Sequence, residues 1–262
     1  MQYIKYFVII LLILILLILL RQNINDNIRE KYLDYNLDHN LNDDINYKKN
    51  ILEAPKRLIA IGDIHADYKS LRNIFLGLKL IDDNNNWVAE PKNTIVIQVG
   101  DQLDGGGRFN GEVSGEDDIL NFMDDIHKKA IKHKGGIYSL LGNHEIMNVS
   151  GDFRFTSNKD IISNGGVDKR LNLYKPGGEY ALRLSRTRNV VMKIGSFIFS
   201  HAGLLLHHIN TDKTYIENIE YVNNLMDNYL KNNIGSYNSE IQKYFMDQNS
   251  ILWNRRYGNE HI

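Results

Sequence analysis

The chain has 262 residues, a formal net charge of −1 and no cysteine. At this length one folded domain with an N-terminal appendage is expected. The balanced charge leaves no basic surface for nucleic acid, so no nucleic-acid partner is expected. The lack of cysteine excludes disulfides, thiolate metal sites and cysteine nucleophiles.

The first predicted element is an unbroken apolar run from Tyr6 to Leu20, with one basic residue at each end. As a helix rising ~1.5 Å per residue, it covers roughly 22 Å of a bilayer core ~30 Å thick. The segment that follows, RQNINDNIRE, lacks the small-residue cleavage site of a signal peptide. After a tail of residues 1–5 we therefore predict an uncleaved, single-pass signal anchor over residues 6–21, with a cleaved signal peptide as the alternative. The flanking charges leave the side of the membrane open.

Residues 22–54 are rich in Asn and Asp, and their apolar residues are loosely spaced. This composition is typical of a solvated stalk, and a weak amphipathic helix is the alternative. From Pro55 onward, short apolar runs alternate with amphipathic segments. We expect the folded domain to occupy residues 55–262.

Four short apolar runs in that domain are predicted as strands: RLIAIGD, NTIVIQVGD, GIYSLLGN and VVMKIGSFIFSH. Between the first three lie YKSLRNIFLGLKL and DDILNFMDDIHKKAIKH, which carry apolar residues at helical spacing. The alternation of strand and helix predicts an α/β fold.

Each predicted strand ends in a polar cluster: GDIHAD, GDQLDGG, GNHE and SHAG. Because sites in open α/β sheets form beyond the carboxyl ends of strands, the four clusters should converge. One such cluster alone is more typical of a turn, a surface pair or a capped helix start. Together they offer carboxylate, imidazole and amide ligands for a hard or borderline metal ion. The candidate ligands are Asp63, His65, Asp101, Asn143 and His201.

The spacing within the clusters supports a metal site. Asp63 and His65 are two positions apart, so an extended chain points both to one side. Asp101 follows the neighbouring strand with a carboxylate whose two oxygens can bridge a pair of ions. Two ions ~3.5–4 Å apart stabilise both the attacking and the leaving oxygen in phosphoryl displacement. The glycines after Asp104 leave backbone N–H groups open to an anion.

In this order the clusters resemble the motifs of the calcineurin-like metallophosphoesterases, and more closely those of the Shewanella-like phosphoprotein phosphatases. The closer likeness rests on LLGNHEIMNVSGDFRF, KPGGEYALRLSRTRNVVMKIGSFIFSHAGLL and SILWNRR, and it covers roughly residues 56–256. The resemblance implies a two-layer β-sandwich core flanked by helices. It also implies two divalent metal ions, with manganese expected and iron or zinc as alternatives.

The resemblance assigns roles to the metal ligands position by position. Asp63, His65 and Asp101 look like the ligands of the first metal, with Asp101 bridging to the second. Asn143 and His201 look like further ligands of the second metal.

The resemblance also implies a catalytic pair. His144 looks like the general acid for the leaving group, and Asp104 looks like the carboxylate that holds its ring. The chemistry agrees, because an imidazole beside a carboxylate has a pKa near the operating range and can donate a proton to an alkoxide.

The chain departs from the family in its phosphate-binding arginine. Relatives place an arginine directly after the second aspartate of the second motif, where this chain has Gly105. Arg108 is the predicted replacement, with Arg154 and either Arg255 or Arg256 as further candidates. A solvated surface charge is the alternative for each of these arginines.

A second departure concerns the last metal ligand. The family's histidine in a GHT-like segment has no counterpart before Ile262, so we expect the domain to be truncated at its C-terminus and the second ion to be held weakly. Three later histidines are candidates to replace the missing ligand: His207, His208 and His261.

The resemblance implies hydrolysis of phosphomonoesters by direct attack of a metal-bound hydroxide, with a phosphoprotein as the expected substrate. The motifs specify the reaction centre and not the substrate groove, so Ser/Thr and Tyr substrates both stay open. A nucleotide or other small phosphoester is the alternative substrate. The alternative from another class is a membrane-tethered binding module that has lost turnover.

Overall fold

The computed structural model describes residues 48–107 and 113–259. The predicted tail, the signal anchor and most of the predicted stalk lie outside the described residues. Neither described range contains a helix that is long and apolar enough to cross a bilayer.

A four-stranded parallel sheet has the strand order β2-β3-β4-β5. Its strands are β2 Leu58–Ile61, β3 Ile95–Gln98, β4 Gly136–Leu140 and β5 Arg188–Asn189. Strands β3 and β4 are buried along their whole length, as expected for apolar runs in a parallel sheet that is covered on both faces. The first three predicted strands are therefore confirmed.

A second sheet has three strands in the order β1-β6-β7. They are β1 Ile51–Leu52, β6 Val191–Ile194 and β7 Phe197–Ser200, with β1 parallel and β7 antiparallel to β6. Strand β1 lies within the segment predicted as stalk, so the sheet includes residues that precede Pro55.

The fourth predicted strand is wrong as a single element. VVMKIGSFIFSH forms the hairpin of β6 and β7, joined at Gly195 and Ser196. Gly195 has a φ of 57°, a left-handed conformation that suits the first position of a tight hairpin turn. The SHAG cluster therefore follows an antiparallel strand of the second sheet, and not the carboxyl end of the parallel sheet.

The two sheets share an apolar core that confirms the two-layer arrangement. The core takes side chains from β3, β4 and β6: Ile95, Ile97, Tyr138, Leu140, Met192 and Ile194. Because successive strand residues point to opposite faces, Val191 of β6 packs instead into a second core with helices on the outer face.

Two helices cover the outer face of the parallel sheet, and both were predicted. Helix α1, Tyr68–Gly77, begins after Asp67, whose carboxylate accepts a hydrogen bond from Ser70 N at 2.9 Å. Helix α2, Glu116–Ile131, has three acidic residues in its first turn and two lysines in its last. These charges complement the helix dipole.

Shorter helices complete the described part of the chain. They are α3 Asn143–Val149, α4 Asn158–Ser163, α5 Val167–Tyr174, α6 Glu179–Thr187, a 3-10 turn at Leu206–His208, α7 Tyr215–Leu230, α8 Ser239–Ile241 with a π-helical turn at Gln242–Met246, and α9 Arg256–Asn259. Helices α6, α7 and α8 pack in the core that contains Val191. Helix α3 begins three residues after β4 ends, and this short connection places it at the edge of the parallel sheet.

Candidate metal centre

The predicted metal ligands meet where the loops after β2, β3 and β4 approach the end of β7. Asp63 and His65 follow β2, and Asp101 follows β3. Asn143 is the first residue of α3, and His201 comes directly after β7. The four clusters therefore converge as predicted, although two different sheets supply them.

One carboxylate oxygen lies at the centre of this cluster. Asp101 Oδ2 lies 3.7 Å from His65 Nε2 and 3.5 Å from His201 Nε2. Two sets of side chains have the spacing of metal ligands, and both contain Asp101: His65 with Asp101 and His144, and Asp63 with Asp101 and His201. The other oxygen, Oδ1, accepts a hydrogen bond from His144 N at 3.0 Å. A single oxygen of Asp101, and not two, therefore faces both sets.

The hydrogen bonds of the two imidazoles leave their metal-facing nitrogens without a proton. Nδ1 of His65 lies 3.1 Å from Leu103 O, and Nδ1 of His201 lies 2.9 Å from Val99 O. A carbonyl oxygen only accepts, so each Nδ1 donates and each Nε2 carries a lone pair in the neutral ring. His201 Nε2 then faces Asn143 Oδ1, another acceptor, at 2.9 Å.

Two acceptors at this distance need a cation or a proton between them. Two carboxylates beside them favour a cation, since Asp101 Oδ2 lies 3.5 Å from His201 Nε2 and Asp63 Oδ1 lies 4.0 Å from His201 Nδ1. Oxygen and imidazole donors of this kind fit a hard or borderline divalent metal. The assignment of each side chain to one ion or the other stays a prediction.

His144 and Asp104 form a buried pair beside the ligand cluster. His144 Nδ1 lies 2.8 Å from Asp104 Oδ2, and Asp104 is fully buried. Burial disfavours the charged imidazole, but the hydrogen bond to Asp104 and the charge of Asp101 outweigh it and raise the pKa of His144. The ring nitrogen opposite Asp104, Nε2, lies 3.9 Å from Asp101 Oδ2 and so faces the cluster. This orientation suits a proton donor, and the role itself stays a prediction.

Glu145 organises the loop that carries Asp101, a role that the sequence patterns do not predict. Its buried carboxylate accepts four backbone hydrogen bonds, from the N–H groups of Asp101, Gln102, Leu103 and Gly142, at 2.7–3.1 Å. Burial and the nearby Asp101 carboxylate raise the pKa of Glu145, while these donors favour its ionised form. The same loop holds Asp101 at a φ of 56°, a conformation uncommon for a residue other than glycine.

We expect Glu145→Gln to destabilise the domain. Each carboxylate oxygen accepts two of the four N–H groups, and an amide has one acceptor oxygen, so two buried N–H groups would face an NH₂ group. Each buried donor left unsatisfied costs about 1–3 kcal/mol. Urea unfolding should report this loss in the variant, whereas Glu90→Gln at an exposed position should unfold like the wild type. Equal unfolding free energies for wild type and Glu145→Gln would contradict this role.

The predicted phosphate-binding arginines are only partly described. Arg108 lies outside the described residues. Arg154 is exposed, and its Nε donates to Asp152 Oδ1 at 2.9 Å. Arg255 and Arg256 are also exposed. Phosphate binding by these side chains stays a prediction.

His207 and His208 are the described candidates for a further metal ligand. Neither belongs to the two sets with ligand spacing among the described residues. His208 is buried, and its Nδ1 accepts a hydrogen bond from Leu205 N at 3.0 Å. Burial lowers the pKa of His208 to about 4. His207 packs against the His208 ring, and His261 lies outside the described residues.

A two-sheet core with imidazoles and carboxylates gathered around one shared aspartate defines the metallophosphoesterase class. The chain belongs to the calcineurin-like phosphoesterase family, whose model matches residues 56–255. Two relatives are similar in sequence. Shewanella-like protein phosphatase 2 of Arabidopsis thaliana is 29% identical, with 79% of this chain and 60% of the relative covered. Shewanella-like protein phosphatase 1 of Plasmodium berghei is 32% identical, with 75% of this chain and 51% of the relative covered.

A solved structure is similar in fold. The crystal structure of a cold-active protein-tyrosine phosphatase from a psychrophilic Shewanella species matches with a TM-score of 0.66 at 23% identity. The match covers 82% of this chain and 61% of that protein. The chain thus spans about half to three fifths of the length of the relatives that it matches.

Proposed function

We propose that this chain is a metal-dependent phosphoprotein phosphatase. The observation that carries the proposal is the single oxygen of Asp101 that faces two sets of metal ligands next to the buried His144–Asp104 pair. The sequence similarity to two Shewanella-like protein phosphatases supports a phosphoprotein as the substrate. A nucleotide or small phosphoester is the second candidate substrate. The residues of the site would contact the phosphate and the leaving oxygen, and they do not select the alcohol to which the phosphate is attached.

Five side chains would hold two divalent ions, for which we propose manganese: Asp63, His65, Asp101, Asn143 and His201. When bound, such ions polarise the phosphoryl oxygens and activate a water molecule. Three of these ligands, His65, Asp101 and Asn143, are buried, so the electrostatic interactions at the centre are screened less than in water.

The chain's own contribution to bond cleavage is proton donation by His144. Asp104 fixes the ring so that Nδ1 keeps its proton toward the carboxylate and Nε2 points at the cluster. A protonated Nε2 would donate to the leaving oxygen as the bond to phosphorus breaks. An arginine is proposed to bind the phosphate, and the candidates are Arg108, Arg154 and Arg255.

Phosphate release from a matched panel of substrates tests the proposal. The panel contains phosphoserine, phosphothreonine and phosphotyrosine peptides, a nucleotide and an aryl phosphate, each assayed as Mn²⁺ is added. We expect release to rise with Mn²⁺, to stop with a chelator and to be fastest for one class of phosphopeptide. Faster release from the nucleotide would favour the small-substrate alternative. Phosphopeptide binding without any release would favour the binding module.

We also propose that residues 6–21 anchor the chain in a membrane, with the side left open. The proposal rests on the apolar run and the missing cleavage site. We expect the full chain to stay with membranes after carbonate extraction, and a chain that begins at residue 22 to be released. A soluble product of the full chain that begins near residue 21 would identify a cleaved signal peptide instead.

A further inference from the structure

Asp104 is held from two directions by buried side chains outside the catalytic pair. Its backbone N–H donates to Glu116 Oε1 at 3.0 Å. Its carboxylate oxygen Oδ1 accepts from Asn148 Nδ2, also at 3.0 Å, and from Thr156 Oγ1 at 2.7 Å. The other oxygen, Oδ2, is the one that contacts His144. Main chain and side chain of Asp104 are thus fixed by different partners.

Arg170 connects those two partners. Its Nη1 donates to Glu116 Oε2 at 2.8 Å, and its Nε donates to Asn148 Oδ1 at 3.1 Å. The hydrogen bonds therefore close a ring, which we call the Asp104 ring: Asp104, Glu116, Arg170 and Asn148. The ring joins the loop after β3 to the start of α2, to α3 and to α5.

The members of the Asp104 ring have little freedom to move. Asp104, Asn148 and Arg170 are 0% exposed and Glu116 is 3% exposed. The Arg170 guanidinium lies over the Tyr174 ring, 4.4 Å from its centroid. Asp104 has a φ of 68°, an uncommon conformation that persists only where its surroundings enforce it.

The buried ion pair between Arg170 and Glu116 is not explained by a contribution to folding stability alone. Burying Arg170 and Glu116 removes two charges from water, and apolar replacements of buried ion pairs are often neutral or stabilising. A planar guanidinium does, however, fix two acceptors in one geometry. Here the two acceptors belong to Glu116 and Asn148, which are two of the three side chains outside the catalytic pair that hold Asp104.

We infer that Glu116, Arg170 and Asn148 are positioning residues that set the orientation of the His144 ring through Asp104. This inference rests on the proposed function, because it concerns the general acid of that reaction. Part of this arrangement follows from the sequence, because residues four apart on a helix lie on the same side, and Asn148 comes four residues after His144. In the structure Asn148 Nδ2 also donates to His144 O at 2.9 Å.

Glu116→Gln is the most direct test, because it keeps the shape of the side chain. The Gln oxygen can accept from either Asp104 N or Arg170 Nη1, and its NH₂ then faces the other donor. A tilted His144 would still leave the metal ligands in place but would donate its proton poorly. We expect kcat for an alkyl phosphate to fall about 10- to 100-fold, and kcat for nitrophenyl phosphate, whose leaving group needs no proton, to fall less than about threefold.

Three further variants separate positioning from folding. Glu116→Gln combined with Arg170→Met removes the ion pair without leaving a lone buried charge, and it should show the same preference for the good leaving group. Arg183→Met removes one arginine from a partly buried ion pair, with Asp124, and should leave the ratio of the two rates unchanged. In a His144→Asn background, Glu116→Gln should cause no further loss with the alkyl phosphate, because both changes act through one group.

A measurement without substrate separates this inference from the proposed function. The proton on His144 Nδ1, bonded to Asp104, should give a downfield NMR signal that disappears in His144→Asn. We expect this signal to persist in Arg183→Met and to broaden or vanish in Glu116→Gln. If the wild type hydrolyses neither substrate, the proposed function fails and the NMR signal still tests the ring. An unchanged signal, or equal losses on the two substrates, would overturn the inference.

Discussion

His144→Asn should slow hydrolysis of alkyl phosphates by about 10²–10⁴-fold, the usual contribution of a general acid. The expected loss is large because His144 Nδ1 is committed to Asp104 while Nε2 faces the ligand cluster. Asparagine keeps a polar group of similar reach but cannot donate a proton in the same way. The loss should shrink for aryl phosphates, whose leaving oxygen departs without protonation.

Metal content distinguishes this role from metal binding. His144 belongs to one of the two sets with ligand spacing, so a role as a metal ligand would make the variant lose an ion. We expect metal content measured on the purified His144→Asn protein to equal that of the wild type. His133→Asn, the same change at an exposed position on the surface, is the matched control. An equal loss on alkyl and aryl phosphates, or a lost ion, would contradict the role of general acid.

The parts of this site that the sequence predicted are those carried by local pattern. Runs such as NTIVIQVGD predicted buried strands, and the polar residues after them predicted where ligands would gather. The spacing of Asp63 and His65 predicted that both reach one ion, and this stays a prediction, because the two side chains belong to different ligand sets around Asp101. Each of these patterns lies within a few consecutive residues, so it can be recognised in the sequence without knowledge of the fold.

The parts that the sequence did not predict depend on contacts between distant positions. Glu116 and Arg170 are 54 residues apart, and no spacing rule relates such positions. Strand β1 has only two residues and is defined by its pairing with β6. The hairpin at Gly195 was different, because a two-residue Gly-Ser break between apolar runs is a local turn signal that could have been read.

Asp101→Asn should remove both ions and lower activity by ~10³-fold or more, since several kcal/mol of charge stabilisation correspond to that factor. The hydrogen bonds of Asp101 explain why replacing its carboxylate by an amide should abolish the binding of both ions. Asp101 Oδ1 accepts from His144 N at 3.0 Å, so the oxygen of an asparagine would stay there. Its NH₂ group would then occupy the position of Oδ2, where His65 and His201 point their acceptor nitrogens.

Asn143→Ala provides the contrast for this prediction. Asn143 Oδ1 contacts His201 Nε2 but is not the oxygen shared by the two sets. We expect metal analysis to find both ions depleted in Asp101→Asn and mainly one in Asn143→Ala, with Asp125→Asn on the exposed face of α2 unchanged. Retention of both ions in Asp101→Asn would rule out a shared oxygen, and the two sets would then have to bind their ions independently.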